Sequence, residues 1–146
     1  MSHPLKTRRK EMYEKLAQKI TDFDYRHTRY KVNYSIAVSY TPESLDMAPL
    51  ISYIRKTDRY ICLDETVHAV VFDCANAEQG IKAANNLLTY FQHANFSKSI
   101  YASIIIADDF TNTGQMIAKL FDLLDYAIQH NMDNLIVDSS QIVWNH

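Results

Sequence analysis

Residues 31–40, KVNYSIAVSY, alternate without a break. Val32, Tyr34, Ile36, Val38 and Tyr40 fall on one face of an extended chain, and Asn33, Ser35, Ala37 and Ser39 on the other, because successive side chains of a strand point to opposite sides. Such a strand buries one face with large side chains and the other with small or polar ones. What flanks it decides the fold class.

Ahead of it, Leu5, Met12, Leu16, Ile20 and Phe23 lie at helical spacing, which predicts one amphipathic helix over residues 5–28. Behind it, Thr41 and Pro42 are placed as N-cap and first residue of a second helix, with Pro49 breaking or kinking it. RKTDRYICLDETVHAVVFD, residues 55–73, then forms two short apolar strands, 59–63 and 67–72, folded around Asp64-Glu65. Tight hairpins usually take Asn-Gly or Asp-Gly, since their central residues often need φ > 0. Two adjacent carboxylates at a tip, with Arg55-x-x-Asp58 just before the first strand, therefore call for an explanation.

Asn76 is set as the N-cap of a core helix carrying Ile81, Ala84, Leu87, Leu88 and Phe91, and SIYASIIIAD is a buried strand. Met116, Ile117, Leu120, Leu124 and Ile128 mark a further helix, NLIVD a closing strand, and QIVW a candidate to pair with it. The expected class is α/β of the α+β kind: a mixed central sheet containing a β-hairpin, with flanking helices. The hairpin is expected in the centre of the sheet under helices 76–94 and 114–131, with Val67, Ala69 and Val71 on the face opposite His68, Val70 and Phe72. At 146 residues and 47% hydrophobic content, the chain is read as a single domain, 1–146, with a basic helix over 1–30 and a sheet-and-helix body over 31–146.

Composition excludes several chemistries. Only Gly80 and Gly114 occur, so there is no Walker A loop, no Gly-x-Gly-x-x-Gly and no Gly-x-Ser-x-Gly elbow. The histidines form no metal-ligand spacing, and His68, His93 and His130 stand isolated. Cys62 and Cys74 are expected as inert core or strand-end thiols. No metal and no cofactor is expected. No apolar run approaches the roughly 20 residues that span a bilayer, and MSHPLKTRRK lacks a signal-peptide core, so a cytoplasmic protein without membrane insertion is expected. Residues 1–31 hold nine of the fifteen Lys and Arg against four acids. These bases are interleaved with Glu11, Glu14, Asp22 and Asp24, as on a solvated helix lying against an acidic body. Nucleic-acid binding through KTRRK is not expected at a net charge of −2.

The sequence order of helix, Arg55-Lys56-Thr57-Asp58, five residues, hairpin tip and apolar strand resembles the GGDEF (diguanylate cyclase) domain. In that family the tip reads Gly-Gly-Asp/Glu-Glu-Phe, and the upstream Arg-x-x-Asp forms an inhibitory site for cyclic di-GMP. The tip positions here hold Asp64, Glu65, Thr66, Val67 and His68. FDCANAEQGIKAANNLLTYF is similar to the helix after the signature, and YASIIIADDF to the strand that follows. FDLLDYAIQHNMDNLIV resembles the family's last helix and strand, with Asp122, Tyr126 and Asn134 matching, and LKTRR resembles its Leu-x-Asn-Arg-Arg opening. The resemblance covers about residues 5–138 and implies a nucleotidyl-cyclase-like fold.

It also implies a degenerate site. The family's paired glycines admit the nucleotide to the hairpin backbone, where Asp64 and Glu65 instead add side chains and negative charge that oppose a triphosphate. Thr66 and Val67 stand where the family has carboxylates for metal and catalysis, and Ser39 where it has the other metal-binding aspartate. Gln129 replaces a phosphate-contacting lysine, and the stretch from Thr41 to Asp58 is too short for the family's two helices. A catalytically inactive domain is expected, acting through contacts with a protein partner or with itself. The alternative is a weak cyclic di-GMP receptor using Arg55 and Asp58, with Lys82 substituting for an arginine where the family's third position holds Asn86. A third expectation is that the charged tip, Asp64-Glu65, is simply a solvent-facing turn.

Overall fold

The computed structural model describes residues 8–95 and 97–141. Two N-terminal helices, α1 (Arg9–Lys19) and α2 (Thr21–Tyr30), precede β1 (Tyr34–Tyr40); a short α3 (Ala48–Tyr53) leads to the hairpin strands β2 (Arg59–Cys62) and β3 (Val67–Asp73). Then come α4 (Ala77–Ala94), β4 (Tyr101–Ile106), α5 (Thr113–Gln129) and a two-residue β5 (Ile136–Val137). The sheet order is β2-β3-β1-β4-β5, antiparallel except for the β4–β5 pair.

The alternation of β1 builds two cores. Tyr34, Ile36 and Val38 pack with Met12, Leu16, Ile20 and Phe23 of the N-terminal helices and with Leu120, Phe121 and Leu124 of α5. Each such fully buried side chain contributes about 1.5–3 kcal/mol. On the other face, Ala37 and Val70 pack with Ala84 of α4, and Leu50 of α3 packs with Leu88 and Phe91. Val67, Ala69 and Val71 face α1 and α2, while His68, Val70 and Phe72 face the α3–α4 side, as the alternation requires.

Several expectations are corrected. The N-terminal helix is two helices with a break at Ile20 (φ −111, ψ 11), where the chain turns so that both Ile20 and Phe23 reach the core; residues 5–7 lie outside the described residues. Thr41 caps no helix: it is fully buried and its N–H donates to Thr66 O at 2.9 Å, holding the end of β1 to the hairpin tip. The helix starts only at Ala48, and Pro49 opens it instead of breaking it, because an early helical position needs no N–H donor. The hairpin lies at the edge of the sheet, with β1 in the middle, and α4 and α5 lie mainly against β1 and β4. Cys62 and Cys74 are both exposed. Residues 142–144 of QIVW fall outside the described residues.

The capping box expected at Asn76 forms, with Asn76 Oδ1 accepting from Gln79 N–H and Gln79 Oε1 from Asn76 N–H. One turn on, Gly80 meets Ser35 of β1. A Cβ on residue 80 would lie 2.3 Å from Ser35 Oγ and 2.9 Å from Ser35 Cβ, so α4 rests on the strand through a position that tolerates no side chain. Gly80→Ala is expected to lower unfolding free energy by about 1–3 kcal/mol through overpacking. Ser35→Ala removes a buried hydroxyl that has no partner among the described residues and should be neutral or stabilising. Urea titrations of the two variants check both.

Candidate functional site

Three features meet around the hairpin. The first is its tip. Asp64 N–H donates to Val67 O at 3.0 Å and Val67 N–H to Asp64 O at 3.3 Å, closing a tight turn. None of residues 64–67 has positive φ, so the turn does not require glycine. Asp64 Oδ1 accepts from Glu65 N–H at 2.8 Å and from Arg8 Nη1 at 2.9 Å. Glu65 is exposed, but Asp64 is only partly so; the charged tip is half free and half pinned to the N-terminal helix. The β1 end beside it presents Ser39, whose Oγ donates to His68 O at 3.4 Å, then Tyr40 and Thr41. Among the described residues no three of His, Cys, Asp and Glu come together as metal ligands.

The second feature is a clasp made by Arg55 and Asp58. The Asp58 carboxylate accepts from Arg55 Nε (3.1 Å), Arg55 Nη2 (2.9 Å), the Arg55 backbone N–H (3.2 Å) and Asp73 N–H (3.0 Å). Arg55 Nη2 also donates to Asp73 O at 2.8 Å, and the next residue, Cys74, takes a left-handed φ of 56°. The clasp thus fixes the end of β3 where the chain turns toward α4. A receptor using both Arg55 and Asp58 needs both side chains open to solvent, but that of Asp58 is 3% exposed, against 60% for Arg55. Its lone pairs are committed to the fold. Beside Arg55 lies a hollow of about 260 Å³ lined by Tyr53, Phe72, Asn86 and Leu87 among others; Lys82 is exposed on α4 and does not line it.

The third feature was not anticipated. Between the sheet and helices α3 and α4 lies an apolar cavity of about 50 Å³, into which Ser39, Tyr60 and His68 bring the polar groups. His68 is 5% exposed. Its Nε2 lies 3.1 Å from Glu65 O, an oxygen that can only accept, so Nε2 carries the proton; Nδ1 then accepts from the Tyr60 hydroxyl at 2.5 Å. Burial pushes the Tyr60 hydroxyl up to about 12, which keeps it a donor. Burial also lowers the His68 pKa. The hairpin register, Tyr60↔Val70 and Cys62↔His68, makes Tyr60 and His68 diagonal neighbours on one face. That was legible in the sequence once the register was drawn, whereas the Arg8–Asp64 pair, 56 residues apart, carried no sequence signal.

The residues matched at the C-terminal end are structural. Asp122 and Asp125 both accept from Arg9 of α1, the latter at 2.6 Å. Asn134, at φ 60°, donates its N–H to Ile100 O at 2.7 Å and accepts Ile100 N–H at 3.3 Å, fastening the last loop to β4. Tyr126 stacks on His130 with centroids 4.0 Å apart.

Element order, strand order and the hairpin with its upstream clasp can be set beside solved structures. The GGDEF domain of DgcB from Caulobacter crescentus, in complex with c-di-GMP, superposes with a TM-score of 0.71 over 84% of this chain and 85% of its own, at 7% identity. The fold is that of a GGDEF domain. The active GGEEF domain of a diguanylate cyclase from Vibrio cholerae gives 0.67 at 12% identity, covering 88% of this chain and 97% of that one. Diguanylate cyclase SiaD from Pseudomonas aeruginosa, in complex with its activator SiaC, gives 0.62 at 12% identity over 85% of this chain and 56% of that chain. No family model matches the sequence, and no curated protein matches it. At these identities the likeness is one of GGDEF fold.

The tip histidine of this GGDEF fold gives a pH dependence. With its folded pKa below the unfolded value of about 6.5, His68 binds a proton more readily in the unfolded chain. Its contribution to stability is therefore full above about pH 6.5 and falls as pH drops toward the folded pKa. Unfolding free energy measured from pH 7.5 down to 5 should fall more steeply for the wild type than for His68→Gln, which cannot titrate.

Proposed function

We propose that this chain is a non-catalytic GGDEF-fold module that acts by contacting another protein or a second copy of itself. The observation that carries the reading is the make-up of the tip and the β1 end. Ser39, Thr66 and Val67 stand where the resemblance places carboxylates, and Asp64, pinned by Arg8, stands where it places a glycine. A hydroxyl or an isopropyl group cannot hold a hard cation as a carboxylate does, and without two bridging cations the phosphoryl charge has no counterpart there. One six-residue helix occupies the stretch between β1 and β2, and the cavity beneath it, about 50 Å³, is small and apolar. A complex between a protein of the same fold and a protein activator supports contact as a mode of action. Incubated with GTP and Mg²⁺ or Mn²⁺, the protein is expected to form no cyclic di-GMP above a no-enzyme control. Product whose formation is abolished in Asp64→Ala/Glu65→Ala overturns the reading.

The exposed guanidinium of Arg55 beside its 260 Å³ hollow favours one second reading, a weak cyclic di-GMP receptor. Asp58 enters that reading only as the group that orients Arg55, since it has no accepting capacity to spare. Calorimetry is then expected to give a micromolar or weaker affinity, lowered roughly tenfold to a hundredfold in Arg55→Ala through loss of a charge-assisted contact. Lys82→Ala should have no effect, because Lys82 does not face the hollow. A flat trace removes this reading and leaves the protein-contact reading in place.

A further inference from the structure

The outer side of the sheet ends in β2, and its bonding parity says which groups are left unpaired. Leu63 N–H donates to Val67 O at 3.0 Å. With the register Arg59↔Val71 and Ile61↔Ala69, the main-chain groups of residues 59, 61 and 63 turn inward to β3. Thr41 N–H on Thr66 O fixes the matching parity on the other side of β3, where residues 66, 68 and 70 turn to β1. Tyr60 and Cys62 therefore direct their N–H and C=O groups outward, and no described residue bonds to them. Edges of this kind are commonly blunted by proline, a bulge or a covering element. β2 has no proline.

Instead, α1 runs beside it and leaves a groove of about 550 Å³ lined by Lys15, Gln18 and Lys19 on the helix and Arg59 to Cys62 on the strand. The groove is positively charged. Arg59 is bidentate on Asp22, at 2.7 and 2.9 Å, and Glu11 on α1 is taken by Arg8 at 3.3 Å. Lys15 and Lys19 are exposed and have no ion pair among the described residues. They are one helical turn apart, which places their Cβ atoms about 6 Å from each other. Alternate residues of a strand lie about 6.8 Å apart on one face. The two spacings match.

We propose that the free edge of β2 is a strand-addition site for an extended acidic segment of a partner protein, its carboxylates at alternate positions over Lys15 and Lys19. Main-chain bonds to Tyr60 and Cys62 supply the pairing, and the lysines select the charge and the face. This deepens the reading of the chain as a contact module and rests on it.

The test uses a synthetic peptide of about eight residues alternating Glu with Val, and a control with Lys for Glu. On binding, the amides of Tyr60 and Cys62 should become protected from hydrogen exchange while that of Ile61, already bonded to β3, stays unchanged. The affinity should fall at least tenfold in Lys15→Glu/Lys19→Glu, two exposed substitutions that leave the fold intact by circular dichroism. The Lys control should not bind. Absence of binding, binding that protects neither amide, or equal binding of both peptides overturns the proposal. Self-association that protects Tyr60 and Cys62 without peptide also overturns it, because the occupant is then a second copy. GTP turnover on the same sample separates the failures: turnover removes the contact-module reading, whereas no binding with no turnover removes only the edge site.

Discussion

Everything in this molecule is hung on one close approach, the contact between the first turn of α4 and the start of β1. β1 must be buried on both faces, and its faces differ in bulk. Tyr34, Ile36 and Val38 hold the N-terminal helices and α5 at the distance large side chains dictate. On the opposite face Ser35 and Ala37 let α4 come much nearer, and at Gly80 the helix has no Cβ to keep it away. From that contact follow the position of α4 over β4, the apolar space under α3, and the direction in which the chain leaves β3. The Arg55–Asp58–Asp73 clasp then holds that exit in place.

A GGDEF fold without the residues that the resemblance assigns to cyclase chemistry illustrates how separable scaffold and site are. The scaffold depends on periodicity, a close glycine contact and a few loop fasteners such as Asn134. The chemistry depends on a handful of carboxylates at the tip and strand end. Ser39, Thr66 and Val67 are compatible with the scaffold, and the tip turn closes without positive φ. The upstream Arg-x-x-Asp has a structural use that needs no ligand: its aspartate is a buried four-bond acceptor, and a lost partner would leave main-chain donors unpaired.

What the sequence made legible was whatever periodicity and capping control. The alternation of β1 and β3, the capping box at Asn76 and the helical stripe of Met116 to Ile128 all translate directly into the fold. Illegible were features decided by distant parts of the chain. The break at Ile20 does not interrupt the apolar stripe, so spacing could not show it. Thr41-Pro42 has the chemistry of a helix start, but Thr41 is claimed by Thr66 across the sheet. Strand order is not encoded in a hairpin's own residues, which is why β2 was expected inside the sheet. Asp58 has the same sequence appearance as a solvent-facing ion pair, and only its contact with Asp73 distinguishes it.

Arg8 and Arg9 are adjacent in the chain yet bond to two different elements. Arg8 holds Asp64 at the hairpin tip, and Arg9 holds Asp122 and Asp125 on α5. That makes α1 a strut clamped at one end to two elements that share no strand with each other. Displacing the start of α1 would therefore release a contact at the hairpin tip and two on α5 together.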